Sequence, residues 1–378
     1  MLKTLAIANY RSIREMVLPL GRLNVVTGAN GTGKSNLYKG LRLLADTARG
    51  AVIASLAREG GFKSSRWAGQ RVPVRGSRRN HDPVNLRLGF CGEDVGYTID
   101  IGLPIPYGSM FDFDPTIKRE TIFTAPVYRP GAVLIDRRIA LARCRQDNRE
   151  WLTLSSKLQP FESLITELSD PRRAPEATRI RDTVRSWRFY EHFRTDRNAP
   201  ARQPVVATHT PILAPDGRDL AAALETIREI GNGPALAAAI DDAFPGAALR
   251  SESADGRLKV AFSQPGLHRE LSAAELSDGT LRFLLWAAAL MTPRPPPLMV
   301  LNEPETSLHP DLLPALGRLI IRAAENTQVW VVSHASRLVA TLEEYEECNS
   351  IQLDKSMSQS VVGRWGRLEE PPWKWPTR

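Results

Sequence analysis

The pattern of apolar positions predicts that the chain opens with short β-strands and then turns into a helix. The segments LKTLAIAN, MVLPL and LNVVTG are apolar runs of strand length, and the last ends in a glycine-rich turn. After that turn, Leu37, Leu41 and Leu44 recur at helical spacing. The first 50 residues therefore predict the order strand, glycine-rich loop, helix.

The middle of the chain changes from strand to helix character. Residues 84–102 predict two strands around a Gly-Glu-Asp turn, and residues 117–153 predict further short strands broken by Pro and Gly. From about residue 160 helical patterns dominate, and residues 218–243 predict two helices separated by GNGP. We expect an antiparallel layer beside the first strands, and then an inserted helical lobe over residues 161–244.

The last third alternates between strands and helices. The predicted elements are strands near 247–251 and 257–262, a helix from 278, a strand ending at Asn302, a helix over 310–324, the strand VWVV and a final helix. Such alternation is typical of α/β architecture with a largely parallel sheet. Residues 1–160 and 245–378 are therefore predicted to form one discontinuous domain around the lobe.

Composition is that of an ordinary globular protein. The 378 residues are 42% hydrophobic and 24% charged. No apolar run approaches the roughly 20 residues that cross a bilayer, and the first residues lack the apolar core of a signal peptide. We expect a cytoplasmic protein without membrane contact. The three cysteines are far apart in sequence and are expected to be buried free thiols.

The formal charge of +8 would favour polyanionic partners if the excess were gathered on one face. Residues 172–202 carry nine arginines and four acidic residues. A helix there would place an apolar stripe beside an arginine row, namely Ile180, Val184 and Trp187 beside Arg181, Arg185 and Arg188. A row that contacts phosphates and a solvated amphipathic helix would look the same, and RVPVRGSRR at 71–79 is equally ambiguous. Any DNA contact is expected at the backbone, because no base-reading motif is present.

The glycine-rich turn GANGTGKS, residues 28–35, matches the P-loop pattern in full and lies between a strand and a helix, as that pattern requires. Its backbone N–H groups and the helix N-terminus can hold phosphates, Lys34 can reach the β- and γ-phosphates, and Ser35 can bind Mg²⁺. The residues expected to contact ATP here are Gly28, Ala29, Asn30, Gly31, Thr32, Gly33, Lys34, Ser35 and Asn36.

Three further features follow in the last third of the chain. LSDGT, residues 276–280, begins a helix and could hold a phosphate through Ser277 and Gly279, although a Ser-Asp pair is also a common N-cap. The apolar strand LMVLN is followed by Glu303, whose carboxylate could activate the attacking water. His334 closes the next strand at the same predicted edge and could contact the γ-phosphate or the water.

In this order, the P-loop, LSDGT, LMVLNEPETSLHP and the VSH strand end resemble the head of an ABC-type ATPase of the SMC/RecF/OLD branch. The similarity is closest to standalone bacterial ATPases labelled AAA-family, and NYRSI at 9–13 also resembles the opening strand of that branch. The resemblance implies a P-loop NTPase fold of the α/β class with a mixed sheet. It also implies that two heads pair head to tail around ATP.

The resemblance implies a role for individual residues. Lys34 and Ser35 would hold phosphate and Mg²⁺ in one copy, while Ser277 and Gly279 would close on the γ-phosphate from the other. Glu303 would be the general base.

It assigns further roles near these positions. His334 would be the switch histidine, acting in catalysis with Glu303 and Lys34, and residues 307–309 would couple the two sites. Arg11 and Ser12 resemble residues that approach the nucleotide from the first strand.

Two positions depart from the family pattern. No glutamine of the Q-loop can be placed, since Gln70 is the nearest candidate and an ordinary surface residue would look the same. Asn302 occupies the position of an aspartate that helps to hold the Mg²⁺ shell. An amide oxygen can still accept from a metal-bound water, but it lacks the negative charge, so weaker metal binding and slow hydrolysis are expected.

The resemblance favours a RecF/OLD-like ATPase that couples nucleotide state to DNA or to a separate effector protein, in DNA repair or defence. About 240 residues without heptads separate Ser35 from Ser277, unlike the long coiled coil of SMC proteins, and the residues after His334 leave no room for the nuclease domain of OLD proteins. One alternative is a regulatory clamp with very slow or no hydrolysis. Another is a transporter subunit, which the long insertion disfavours.

Overall fold

The fold is described from a computed structural model, over residues 1–69, 85–168, 170–366 and 368–376. Within these ranges no helix combines the length and the apolar character that a membrane span requires. Gln70 and the basic segment 71–79 lie outside the described residues. The three cysteines are free and buried, as predicted.

The predicted strands are present in the predicted order, but strands at Arg188–Tyr190 and Val205–Val206 lie in the segment predicted as helical, and strands at Cys348–Ser356 and Gln359–Arg364 follow the last predicted helix. The strands are β1 (Thr4–Tyr10), β2 (Ile13–Pro19), β3 (Leu23–Gly28), β4 (Leu86–Cys91), β5 (Val95–Gly102), β6 (Thr116–Thr124), β7 (Val133–Arg138), β8 (Leu141–Arg145), β9 (Trp151–Ser155), β10 (Arg188–Tyr190), β11 (Val205–Val206), β12 (Ala248–Ala254), β13 (Arg257–Ser263), β14 (Leu271–Ser272), β15 (Leu298–Asn302), β16 (Gln328–Val332), β17 (Cys348–Ser356) and β18 (Gln359–Arg364).

The helices also follow the sequence pattern, including the pair separated by GNGP. They are α1 (Lys34–Thr47), α2 (Val52–Arg58), α3 (Phe62–Ser65), α4 (Leu164–Glu167), α5 (Pro175–Ser186), α6 (Leu220–Ile230), α7 (Gly233–Ala243), α8 (Asp278–Leu290), α9 (Leu313–Ala324) and α10 (Ser336–Glu343), with single 3₁₀ turns at Pro130–Ala132, Pro200–Arg202 and Pro310–Leu312.

The chain divides into two compact units. The first, unit 1, comprises Met1–Gly21, Thr27–Trp187 and Ile351–Arg378, and unit 2 comprises Arg22–Val26 and Arg188–Ser350. The boundary at residues 187 and 188 falls inside the predicted lobe 161–244. That lobe therefore stays a prediction, with α5 assigned to unit 1 and with α6 and α7 assigned to unit 2.

Unit 1 contains the predicted antiparallel layer, an eight-stranded sheet in the order β2-β1-β4-β5-β6-β7-β8-β9. A buried ion pair joins two of its strands, because Arg137 Nη1 donates to Glu120 Oε2 at 2.6 Å. The Tyr97 and Ser163 hydroxyls donate to Glu120 Oε1, and the backbone N–H of Leu164 donates to Oε2. Burial, and then the Glu120 charge, raises the pKa of Tyr97. The hydrogen bonds and the ion pair to the Glu120 carboxylate offset the cost of burying its charge.

Helix α5 of unit 1 has only part of the predicted stripe and arginine row, because it ends at Ser186 and Arg188 begins β10. Ile180 and Val184 are buried, and so is Trp187 immediately after the helix, where it packs edge-on against Phe90. The Arg181 side chain is engaged by Asp182 at 2.9 Å.

Unit 2 contains the predicted parallel strands. β15 pairs with β10 and with β16, and β16 pairs with residues 23–26 of β3, all in parallel. These strands are almost wholly apolar because helices cover their faces. Helix α8 is buried along its whole length after the first turn, and α9 buries residues at helical spacing, such as Leu316, Leu319, Ile320 and Ala323. A second antiparallel group, β11-β13-β12 with β14, belongs to the same unit.

Candidate nucleotide-binding site

The P-loop of unit 1 has a backbone that its glycines make possible. Gly28, Gly31 and Gly33 have φ values of 144°, 82° and 106°, which side-chain-bearing residues rarely adopt. At Gly33 an added Cβ would collide with Ser360 Oγ and lie 3.0 Å from Ser12 Oγ. At Gly31 it would meet nothing within 4 Å among the described residues, so the loop is open on that side.

Lys34 is the first residue of α1 and its side chain folds back over the loop. Although it carries a charge, the residue is only 6% exposed, and its Nζ donates to Gly28 O at 2.5 Å and to Ala29 O at 3.2 Å. Thr32 closes the same turn, since its hydroxyl donates to Ala29 O at 2.9 Å. Ser35 is exposed in the first turn of α1, where the helix N-terminus favours an anion.

The first strand brings Ser12 to the P-loop helix. Asn36 Nδ2 donates to Ser12 Oγ at 2.8 Å, and Ser12 Oγ lies 2.6 Å from Ser360 Oγ. Arg11 instead points to Glu59, and its Nη2 lies 2.8 Å from Oε2 of that residue. The Tyr10 hydroxyl donates to the same carboxylate oxygen at 2.7 Å. Arg11 would have to leave Glu59 in order to reach a nucleotide.

The acidic half of the predicted site lies in unit 2, where the parallel strands end together. Asn302 is in register with Val332, and Val332 is in register with Val26 of β3. Glu303 follows β15 in a left-handed conformation with φ of 49°, and its N–H donates to Val332 O at 2.8 Å. A non-glycine residue there costs about 1 to 2 kcal/mol, and such strain concentrates at functional sites.

A second acid, Glu305, was not singled out from the sequence. It is buried, and its Oε1 accepts from the Ser333 hydroxyl at 2.8 Å and from the backbone N–H of His334 at 2.8 Å. The same oxygen lies 3.2 Å from His334 Nδ1. A carboxylate at Nδ1 fixes the ring and leaves Nε2 for another partner. Glu305 therefore positions the predicted switch histidine.

Two oxygens at this edge suit a metal shell. Asn302 Oδ1 and Glu305 Oε2 are buried without a hydrogen-bond partner among the described residues. A buried acceptor without a donor costs free energy, so an amide oxygen that accepts from metal-bound water fits Asn302. The described part of the chain contains no cluster of three or more His, Cys, Asp or Glu residues that could hold a metal ion. Mg²⁺ held near these oxygens would take most ligands from phosphate and water, which it prefers.

The LSDGT segment begins α8 as predicted. Ser277 is its N-cap, with the hydroxyl accepting from the Thr280 N–H at 3.1 Å. This is the plain N-cap geometry, and it also leaves Ser277 exposed at a helix N-terminus, where an anion is favoured. Gly279 lies beside the loop that follows Glu303, since a Cβ there would be 3.6 Å from Ser307 O.

Helix α8 is bonded to that same loop by two side chains. Arg282 Nη1 donates to Thr306 O at 2.7 Å, and Trp286 Nε1 donates to Pro304 O at 3.0 Å. Burial lowers the pKa of the Arg282 guanidinium. The predicted coupling loop, residues 307–309, continues from here with Ser307 at φ 61° and an exposed His309.

Arg202 braces the backbone that leads into LSDGT, and no sequence pattern indicated it. Its guanidinium donates to Ala273 O at 2.7 Å, to Leu276 O at 2.8 Å and to Asp278 Oδ1 at 2.8 Å. It also donates to Thr195 O at 2.8 Å. The planar fork of arginine can serve several carbonyls at once, which a lysine cannot.

Replacing Arg202 by Met should therefore lower the free energy of unfolding by about 2 to 4 kcal/mol, because several carbonyls lose their donor. Urea unfolding measures this change. Arg194→Met is the matched control, since within the described part of the chain Arg194 forms only an exposed pair with Asp196, and its loss should give no measurable change. Equal stability of the Arg202 variant and the wild type would show that the brace is dispensable.

The P-loop at a helix start, the parallel strands ending in Glu303 and the separate LSDGT helix define a P-loop NTPase with an ABC-type ATPase head. Residues 23–340 match the family described as "AAA domain, putative AbiEii toxin, Type IV TA system", and the chain belongs to this family. Membership of this family supports an ATP-binding ATPase domain.

The chain is similar to solved structures, and one of them, with a TM-score above 0.5, supports the fold. An SmcHead bound to the C-winged helix domain of ScpA has a TM-score of 0.52 at 13% identity, and covers 97% of this chain and 98% of that one. The SMC head domain from Thermotoga maritima has a TM-score of 0.46 at 15% identity, with 96% and 97% covered. No curated protein matches the sequence.

Proposed function

We propose that this protein binds ATP with Mg²⁺, hydrolyses it slowly within a head-to-tail dimer, and passes the nucleotide state to DNA or to a separate effector protein. The observation that carries hydrolysis is Glu303, held in a strained conformation at the carboxyl end of β15. That strand is in register, through β16, with the strand that leads into the P-loop. Ligands of open α/β sheets bind at this strand end.

The roles of the side chains follow from their chemistry. Lys34 and the N-terminus of α1 neutralise the β- and γ-phosphates, and bound Mg²⁺ would supply further positive charge. Glu303 accepts a proton from the attacking water. His334, held through Nδ1 by Glu305, offers Nε2 to the γ-phosphate or to that water.

The dimer is supported by the exposure of the LSDGT segment. Ser277 presents its hydroxyl at an exposed helix N-terminus, which fits the phosphate of a second copy. Within one copy, the hydrogen bonds of Arg202 hold the LSDGT segment, and those of Arg282 and Trp286 join its helix to the loop after Glu303. These bonds would link ATP binding at one site of the dimer to the conformation of the other site.

The partner that responds is DNA or an effector protein. The SmcHead similar in fold binds the winged-helix domain of ScpA, which supports a protein effector. The family description names a Type IV toxin–antitoxin system, which supports defence over repair. ATP turnover measured with and without duplex and single-stranded DNA separates the two: stimulation supports a DNA partner, and indifference supports a protein effector. Cytoplasmic location is part of the proposal.

The second candidate function, a regulatory clamp with very slow or no hydrolysis, is favoured by Asn302. Its Oδ1 is buried without a partner among the described residues and carries no negative charge where a metal shell would lie. Asn302→Asp should raise turnover by ~10-fold or more at limiting Mg²⁺, because a carboxylate holds metal-bound water more strongly. Phosphate release over a Mg²⁺ titration measures this. Identical rates for the variant and the wild type would contradict metal tuning by Asn302.

A further inference from the structure

A loop between β5 and β6, residues 103–115, exposes large apolar side chains that no part of the ATP site uses. We call it the aromatic loop. Large side chains this exposed are rarely grouped on a monomer unless they mark an interface. Their exposed fractions are 86% for Ile105, 78% for Tyr107, 97% for Met110, 72% for Phe111 and 76% for Phe113.

The aromatic loop is held in shape by its own polar groups. The Asp112 carboxylate accepts from the Tyr107 N–H at 3.3 Å and from the Gly108 N–H at 3.0 Å. Ser109 Oγ accepts from the Phe111 N–H at 3.1 Å. Because the loop is already ordered, binding through its apolar side chains costs less conformational entropy than binding through a flexible segment.

Strand register places the aromatic loop at the nucleotide end of the eight-stranded sheet. Gly102 pairs with Thr116 on either side of the loop, and Leu86 of β4 pairs with Ile101 of β5. β4 in turn pairs with β1, which ends in the turn that carries Arg11 and Ser12. At about 4.8 Å between strands, the loop lies roughly 10 to 15 Å along the sheet edge from that turn. Ser12 itself contacts the P-loop helix.

We infer that the aromatic loop is a contact between two copies of this chain in the ATP-bound dimer. The inference rests on the proposed function, which requires that dimer. Charge supports a second copy, because the loop has two acidic and no basic residues while the whole chain carries +8. The same acidic residues disfavour an anionic membrane or nucleic acid as the occupant.

The exposed area is sufficient for a specific contact. Aromatic side chains bury on the order of 150 Å² or more each, so the five apolar groups of one loop offer on the order of 600 Å². A two-fold dimer buries the loops of both copies and so removes on the order of 1,200 Å² from water, which reaches the lower limit of specific interfaces.

The test uses the full chain carrying Glu303→Gln, which we expect to hold ATP without turning it over. Phe111→Ser together with Phe113→Ser is compared with the exposed control pair Val206→Ser and Ile230→Ser. Light scattering with Mg²⁺ and ATP gives the dimer dissociation constant. It should rise at least ~30-fold for the loop pair and stay unchanged for the control. At protein concentrations where the parent is monomeric, a fluorescent ATP analogue should bind both variants as tightly as the parent.

The outcomes separate the inference from the function beneath it. If the Glu303→Gln parent stays monomeric in ATP, the dimer itself is absent and both proposals fall. If the parent dimerises and the loop pair dimerises equally well, only the role of the aromatic loop is overturned. Sedimentation of the parent with vesicles of phosphatidylcholine and phosphatidylglycerol, lost in the loop pair, would also overturn it by showing a lipid surface as the occupant.

Discussion

Lys34→Ala is expected to weaken ATP binding by more than ~100-fold, which corresponds to about 3 kcal/mol. The buried ammonium lies over the P-loop carbonyls of Gly28 and Ala29, in position to transfer to phosphate oxygens. Without it, the loop offers only backbone N–H groups and the helix N-terminus to a polyanion. Titration calorimetry with ATP and Mg²⁺ measures the loss.

The control for Lys34 is Lys39→Ala, on the same helix α1. It removes the same charge beyond the first turn, where the helix end no longer contributes, so its affinity should match the wild type. Thermal unfolding without nucleotide shows whether the Lys34 variant is folded. A folded Lys34 variant that binds ATP with wild-type affinity would refute the assignment of the P-loop as the nucleotide site.

Glu303→Gln is expected to keep ATP binding, to lower turnover by ~100-fold or more, and to accumulate an ATP-bound dimer. Glutamine has the shape of glutamate but cannot accept the proton of the attacking water. The backbone strain at this position and the bond to Val332 O are unaffected by the change. Phosphate release and light scattering report turnover and dimer separately.

The matched control for this prediction is Glu325→Gln, which makes the same chemical change at an exposed position after α9. It should leave turnover and oligomeric state at wild-type values. Undiminished phosphate release from the Glu303 variant would show that another group is the general base. Loss of turnover without a dimer would support Glu303 as the base and would contradict the proposed head-to-tail dimer.

The sequence predicted those features of the fold and the site that depend on residues close together in the chain. The P-loop, the helix after it and the strand that ends at Asn302 are each encoded by contiguous residues whose periodicity and glycines suffice. Glu305 was missed because its role arises from contacts with Ser333 and His334, which strand pairing brings close. A second acid two residues after Glu303 was the only signal in the sequence.

The other features that the sequence did not predict depend on contacts between residues far apart in the chain. Arg202 lies about 75 residues before the segment it braces, and nothing in its own surroundings indicates the carbonyls it serves. Arg11 was expected to approach the nucleotide, but an acid on α2's C-cap, Glu59, engages it. Ile180 and Val184 of α5 are buried as predicted, but the helix ends before Trp187, and an apolar stripe does not say which sheet covers it. Its assignment to unit 1 therefore needed the structure.

Steady-state phosphate release from ATP by the wild type, beside Glu303→Gln and Lys34→Ala, tests the central claim most directly. We predict a slow but measurable rate that requires Mg²⁺ and falls to background in both variants. A wild-type rate equal to background with ATP bound would make the protein a clamp rather than an ATPase. A rate that persists in Glu303→Gln would contradict the assignment of Glu303 as the base.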